Sequence, residues 1–227
     1  MNGKRIYIVG GSKGGVGKSL VSMALIDHLQ AAGEKVLLIE SDTSNPDVWK
    51  SYKDDVPCEL LDLDDADGWI SLVNLCDDHK DSTVVVNTAA RNNRGVAAYG
   101  VTLRSTLEEL ERELVTFWVI NRQRDSLELL KEYLETLGSS TVHVLMNAYF
   151  GEAKKFELYT RSQLRTSIEE RGGRSLVFPD LADRVSDDLY SKRLAIAGAM
   201  KALPTGNRAE LQRWRGEVSK VLAELAS

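Results

Sequence analysis

A glycine-rich turn set between an apolar strand and a helix admits few folds. Residues 12–19 of this chain are such a turn: Ser12-Lys13-Gly14-Gly15-Val16-Gly17-Lys18-Ser19. Ile6-Tyr7-Ile8-Val9 before it reads as a strand, and Leu20-Val21-Ser22-Met23-Ala24-Leu25-Ile26 after it reads as a helix. Gly14, Gly15 and Gly17 permit backbone angles and close approaches that a Cβ forbids. The N–H groups of such a turn converge as a nest for phosphate oxygens, and the positive end of the following helix points at the same place. Lys18 supplies a point charge for terminal phosphates, and Ser19 a hydroxyl ligand for Mg²⁺. The general pattern G-x-x-x-x-G-K-[ST] has Ser12 in place of its first glycine, so the match is a deviant one. A turn kept for packing alone has no need of Gly17-Lys18-Ser19 after an apolar strand.

The rest of the chain repeats the alternation. Strands are expected at 35–40, 58–63, 83–87, 114–120, 142–147 and 175–178. Helices are expected at about 66–79, 101–113, 126–137, 156–170, 187–202 and 207–225, with Gly33 closing the first helix. Several strands are apolar on both faces, as parallel strands covered on both sides must be. The expectation is an α/β fold: a mostly parallel sheet flanked by helices on both faces, in one domain spanning 1–227. A length of 227 residues suits one such domain with a sizeable core.

Composition excludes several classes. A net charge of −5 argues against a general nucleic-acid coat while leaving room for a local basic face. Two cysteines, Cys58 and Cys76, form neither a disulfide framework nor a metal cluster, so a reduced, cytoplasmic setting is expected. Met1-Asn2-Gly3-Lys4-Arg5 leads straight into the first strand and leaves no room for a signal peptide. No apolar run approaches the ~20 residues that span a bilayer.

Ligands of an open parallel sheet bind beyond the carboxyl ends of its strands. Glu40-Ser41-Asp42 ends the second strand, Asn87-Thr88-Ala89 the 83–87 strand, Asn147 the 142–147 strand, and Pro179-Asp180-Leu181 follows the last. Asp42 can orient a water in line with a terminal phosphate, or serve as a turn aspartate. Asn147 at a strand end offers an amide donor and acceptor to a ligand, or serves as a turn residue.

The run Lys13-Gly14-Gly15-Val16-Gly17-Lys18-Ser19 resembles the deviant Walker A box of the ParA/MinD family of P-loop ATPases. The resemblance keeps the family's order through Asp42, Asn147 and Pro179 to about residue 200, and is nearest to small plasmid-borne ParA-type proteins of partition, stability or conjugative transfer. It implies ATP and Mg²⁺ as cofactors and a homodimer closed by ATP, with Lys13 reaching the partner's nucleotide. By the same resemblance the catalytic set is Lys13, Lys18 and Asp42. The nucleotide lies on Lys13, Gly14, Gly15, Val16, Gly17, Lys18, Ser19 and Leu20, with Asn147, Pro179, Asp180 and Leu181 at the base. The metal lies on Ser19, Asp42 and, through water, Asn87.

Two departures stand out. Where the family has Asp in the Walker B strand this chain has Asn87, which removes a negative charge near the metal, and Glu40 stands where a first Asp is usual. Slow hydrolysis, or a nucleotide-binding adaptor with negligible hydrolysis, follows as an expectation. Basic residues Lys154, Lys155, Arg161, Arg165, Arg171, Arg174, Arg208, Arg213, Arg215 and Lys220 are candidates for nonspecific DNA contact, against acidic neighbours that would balance a plain solvated face. A small DNA-binding adaptor protein is the implied further partner. The 207–225 helix carries Leu211, Trp214, Val218, Val221, Leu222 and Leu225 on one stripe, expected to pack on the sheet, with membrane contact of the MinD type as the alternative. The chain lacks the C-x-x-C of iron–sulfur carriers and the tyrosine cluster of bacterial tyrosine kinases of this fold.

Overall fold

The computed structural model describes residues 4–11, 14–90 and 92–226, without the side chain of residue 226. Ser12 and Lys13 of the glycine loop lie outside the described residues. Seven strands form one sheet: β1 (Arg5–Gly11), β2 (Val36–Glu40), β3 (Cys58–Leu60), β4 (Thr83–Asn87), β5 (Glu113–Ile120), β6 (Thr141–Asn147) and β7 (Ser175–Phe178). The order is β3-β2-β4-β1-β5-β6-β7 and every neighbouring pair is parallel. From β1 the chain crosses to β2 and β3 on one side and returns in β4 beside β1, then runs outward through β5, β6 and β7 on the other, so the order reverses at β1 and the carboxyl ends of β1, β2 and β4 lie at that crevice. Register places Glu40 of β2 beside Asn87 of β4, and Val9 of β1 on the other side of Asn87.

Period-two alternation divides the core between the two faces. Tyr7, Val9, Leu38, Val85 and Phe117 pack under α1 (Lys18–Ala31), α8 (Asp183–Ser191), α9 (Ile196–Ala202) and α10 (Thr205–Ala226). Ile6, Ile8, Leu37, Val84, Val86 and Trp118 pack under α3 (Ala66–Asp78), α4 (Asn93–Thr106) and α5 (Arg124–Leu137). A further helix, α2 (Asp47–Tyr52), is pinned by the Tyr52 hydroxyl, which donates to the Met23 carbonyl at 3.0 Å and accepts from the Ile196 N–H at 3.3 Å.

Several boundaries differ from the sequence reading. The expected 101–113 helix instead runs Asn93–Thr106, with Glu113 already in β5; its start is not legible in the sequence because its first turns are held by close approach rather than announced by an apolar period. A Cβ on Gly95 would meet the Leu63 carbonyl oxygen at 1.9 Å, so only glycine lets α4 rest there. The 156–170 helix is two, α6 (Glu157–Thr160) and α7 (Gln163–Glu170), because the Ser162 hydroxyl caps a new start by accepting from the Arg165 N–H at 3.2 Å. The 187–202 helix is also two, α8 and α9. The chain turns at Arg193 with φ 53°, and the Leu194 N–H bonds back to Leu189 at 3.0 Å. β3 stops at Leu60 rather than Leu63.

The final helix, α10, is docked on the sheet as expected. Leu211, Trp214, Val218, Leu222 and Leu225 of its stripe are buried. The Trp214 indole donates to the Pro179 carbonyl at 3.0 Å and meets Phe178 edge-on, and Arg215 grips Asp27 of α1 through two bonds of 2.8 and 2.9 Å. The surface a membrane reading would use is thus part of the core. Among the described residues no helix is long and apolar enough to cross a membrane.

Candidate nucleotide site

The glycines set the shape of the loop. Gly15 and Gly17 have φ of 77° and 104°, the left-handed region that a side chain resists. Gly17 is the N-cap of α1; no side chain caps this end, and its first turn holds no acidic residue. The first N–H groups of α1 therefore face outward with the helix dipole behind them, an anion site by construction. Lys18 is only 7% exposed. Burial lowers the affinity of its ammonium for its proton, while Asp42 and Glu40 oppose that shift.

These groups line a cavity of about 400 Å³ together with Gly14, Gly15, Gly17, Ser19, Asp42, Asn45, Asp47, Thr88, Ala90 and Tyr190. Most of the phosphate-side expectations thus converge on one space. Val16 is buried beneath the loop, and Leu20 is half-buried against the core. Asn45, Asp47, Thr88, Ala90 and Tyr190 were not singled out from the sequence. Thr88 directly follows a strand end and could have been; Tyr190 arrives from α8, far along the chain, with no local signal. Asp42 accepts the Asn45 N–H at 3.0 Å, and Asn45 in turn donates to Asp47 at 2.7 Å.

Behind the cavity lies a buried polar network. Glu40 is 0% exposed and Asn87 2%. The Asn87 amide donates through Nδ2 to Glu40 Oε1 at 2.8 Å and accepts the Ser22 hydroxyl on Oδ1 at 2.9 Å. Glu40 also accepts the Asp42 N–H at 3.0 Å and the Trp49 N–H at 3.4 Å. Burial pushes the Glu40 carboxyl up to about 7, against the hydrogen bonds from Asn87, Asp42 and Trp49 that favour its charged form. Asn87 therefore stands one layer behind the cavity, with both ends of its amide engaged.

The base-side residues sit differently from one another. Asn147 is 6% exposed, donates to the Val16 carbonyl at 2.8 Å and accepts the Tyr149 N–H at 3.1 Å. A Cβ on Gly17 would meet its Nδ2 at 2.4 Å, so Asn147 presses on the glycine loop from behind. Pro179 gives its carbonyl to Trp214, and Leu181 is buried in the core. Asp180 is raised by partial burial and by Asp183, opposed by the Leu181 N–H. None of these four lines the cavity.

Many of the late basic residues carry acidic partners: Lys154 with Glu152, Arg161 with Glu157, Arg165 with Glu169, Arg174 with Glu224, Arg213 with Glu210 and Glu217, and Arg215 with Asp27. Such pairs balance the charge of these helices locally.

An uncapped helix start, a buried lysine, a hydroxyl and a carboxylate around one cavity fit a nucleotide phosphate chain with its hard dication. Comparisons with known proteins agree in kind. The chain is 69% identical over 219 residues to Protein MobD of Acidithiobacillus ferrooxidans, covering 96% of each. Its fold resembles the MinD cell division protein of Aquifex aeolicus, with a TM-score of 0.54 at 13% identity over 92% of this chain and 95% of that one. It also resembles a nucleotide-binding protein of Archaeoglobus fulgidus solved with ADP, with a TM-score of 0.50 at 15% identity, covering 89% and 92%. Residues 7–152 match the CobQ/CobB/MinD/ParA nucleotide binding domain, and the chain belongs to that family.

Proposed function

We propose that residues 1–227 form one ATPase domain that binds Mg²⁺·ATP, dimerises around it, hydrolyses it slowly, and so switches the placement of a DNA-associated cargo. The single observation carrying this reading is the open amino end of α1 beside buried Lys18, facing the cavity that Ser19 and Asp42 also line. In this reading the loop N–H groups and Lys18 hold the β- and γ-phosphates and stabilise charge on the departing oxygen. Asp42 holds a water in line with the terminal phosphorus, as its short reach from the end of β2 allows. Ser19 and Asp42, with Asn87 behind them, hold the cation, which when bound neutralises phosphate charge. Lys13 completes the partner's site, as the family resemblance implies.

Sedimentation velocity with ATP, ADP and no nucleotide tests the switch. A dimer is expected with ATP only, and Lys13→Ala is expected to abolish it. One oligomeric state under all three conditions overturns the reading. Co-sedimentation with nonspecific DNA, expected with ATP alone and weakened by salt, tests the partner.

Asn87 favours a second reading, a nucleotide-binding adaptor with negligible turnover. A neutral amide buried against Glu40 brings no charge of its own to the cation. Phosphate release at background level alongside ATP-dependent dimerisation selects this reading over the first.

A further inference from the structure

The acidic residues of this chain are unevenly placed. Residues 54–67 hold seven Asp and Glu and no Lys, Arg or His. Those seven charges exceed the net −5 of the whole chain, so the remainder is slightly basic. All seven side chains are exposed, and among the described residues none has an ion-pair partner. Exposed Leu60 lies within the run and exposed Ile70 just past it, at 41% and 49%. Aliphatic side chains left open among unpaired acids mark a surface that another molecule covers.

The run is held on a fixed path from β3 into α3. A Cβ on Gly68 would meet the Asp62 carbonyl oxygen at 1.8 Å, and one on Gly95 the Leu63 carbonyl oxygen at 1.9 Å, so two glycines let α3 and α4 close on this turn. The Trp69 indole donates to the Leu63 carbonyl at 2.8 Å, and Asp62 Oδ1 accepts the Asp64 N–H at 2.9 Å. Asn92, 7% exposed, directs its Nδ2 to Asp64 Oδ1 at 3.4 Å and leaves its own Oδ1 without a hydrogen-bond partner. A buried acceptor left unfilled beside unpaired carboxylates makes the turn short of donors.

The start of the run borders an open sheet edge. β3 is the outermost strand, and among the described residues no strand pairs with its far side. The Leu38 N–H bonds to the Pro57 carbonyl and the Leu61 N–H to the Glu40 carbonyl, so Pro57, Glu59 and Leu61 face β2. By the same parallel pattern the backbone groups of Cys58 and Leu60 face outward. Burial, and then the charges of Glu59, Glu40, Asp55 and Asp54, push the Cys58 thiol up to about 12, which puts three acids of the run around this short edge.

Charge spread along the chain defines what can cover this surface. Among the described residues no three acidic, His or Cys side chains converge to hold a metal ion. Nucleic acid is repelled here. A second copy would bring the same acids to the same edge, and most of its late basic residues already carry acidic partners. We propose that the outer edge of β3 and the acidic turn after it dock an extended basic segment of another protein, with Lys or Arg interleaved with apolar side chains. Its backbone meets the outward groups of Cys58 and Leu60, its cations lie along residues 54–67, and its apolar side chains cover Leu60 and Ile70. None of these residues lines the nucleotide cavity, so the proposal goes beyond the nucleotide reading and does not depend on it.

The test is fluorescence anisotropy of a labelled peptide of alternating Lys and Val, titrated with the full chain without nucleotide. The parent is expected to bind it. D55N/E59Q/D65N/D67N, which neutralises exposed acids whose side chains make no hydrogen bond, is expected to weaken binding about tenfold or more. E108Q/E109Q/E135Q/D187N removes the same charge elsewhere on the surface and should stay within about twofold of the parent. L60T/I70T leaves the charge unchanged and should weaken binding about threefold or more. Hydrogen exchange on the parent needs no variant: the peptide is expected to slow the amides of Cys58 and Leu60. Absence of binding to the parent, equal weakening by the two charge variants, full binding by L60T/I70T, or unchanged exchange at β3 each overturns the proposal. A parent dimer that D55N/E59Q/D65N/D67N dissolves would overturn it in favour of a second copy.

Discussion

At the scale of single residues, the side chains around the glycine loop divide into those that face the cavity and those that hold the loop in shape. Asn147 belongs to the second group by its bonds to the Val16 carbonyl and the Tyr149 N–H. Asn147→Ala leaves a buried carbonyl without its donor, at a cost of about 1–3 kcal/mol. If bracing is its role, affinity for ATP and GTP should fall together in titrations of the variant. A selective loss of ATP over GTP would instead mark a base contact. His143 allows a prediction in pH. Its Nδ1 accepts the Arg174 N–H at 3.0 Å, and burial, with the charges of Arg174 and Arg5, lowers its pKa from 6.5 to about 4. Between those values the unfolded chain binds the proton and the folded chain does not, so stability falls as pH drops through that window. His143→Gln should flatten this acid limb in denaturant titrations at stepped pH; an unchanged limb would exclude His143 as its source.

At the scale of elements, α10 shows how an amphipathic stripe finds its use. Trp214 is 0% exposed, and its indole N–H satisfies Pro179 in the segment after β7. Trp214→Ala removes a large side chain from a packed site and should cost about 3–5 kcal/mol, seen as a lower midpoint in chemical denaturation. Loss of that size is expected with or without lipid, because the stripe serves the core. Elements were legible where their pattern was local. Strands β4 and β7 match their expected bounds, and the glycine turn between β1 and α1 needed no tertiary information. Elements held by close approach were not legible: the first turns of α4 rest on Gly95 against Leu63, a contact no periodicity announces. The breaks after Thr160 and Ser191 depend on one capping hydroxyl and one left-handed residue inside otherwise continuous helical patterns.

At the scale of the whole molecule, the sheet brings residues from β2, β4, α1, α2 and α8 to one crevice. Binding there should stabilise the entire fold. Nucleotide at about 100 times its dissociation constant contributes about 2.7 kcal/mol, which for a chain of this size raises the unfolding midpoint by roughly 5–10 °C. Differential scanning fluorimetry with Mg²⁺·ATP checks this, and Lys18→Ala should abolish the rise. A shift that survives in Lys18→Ala would place the nucleotide elsewhere.

The sequence by itself determined the α/β alternation, the phosphate-binding turn and the family, because each is written in residues adjacent along the chain. It also singled out Glu40 and Asn87 as departures, but as separate ones. That they touch, that Ser22 completes their hydrogen bonds, and that Asn147 braces the loop were decided by the tertiary structure alone. The reason is physical: Glu40 and Asn87 are 47 positions apart in sequence and become neighbours only when β2 and β4 pair in register. Once buried together, each satisfies the other: the Asn87 amide donates to the Glu40 carboxyl at 2.8 Å where water is excluded.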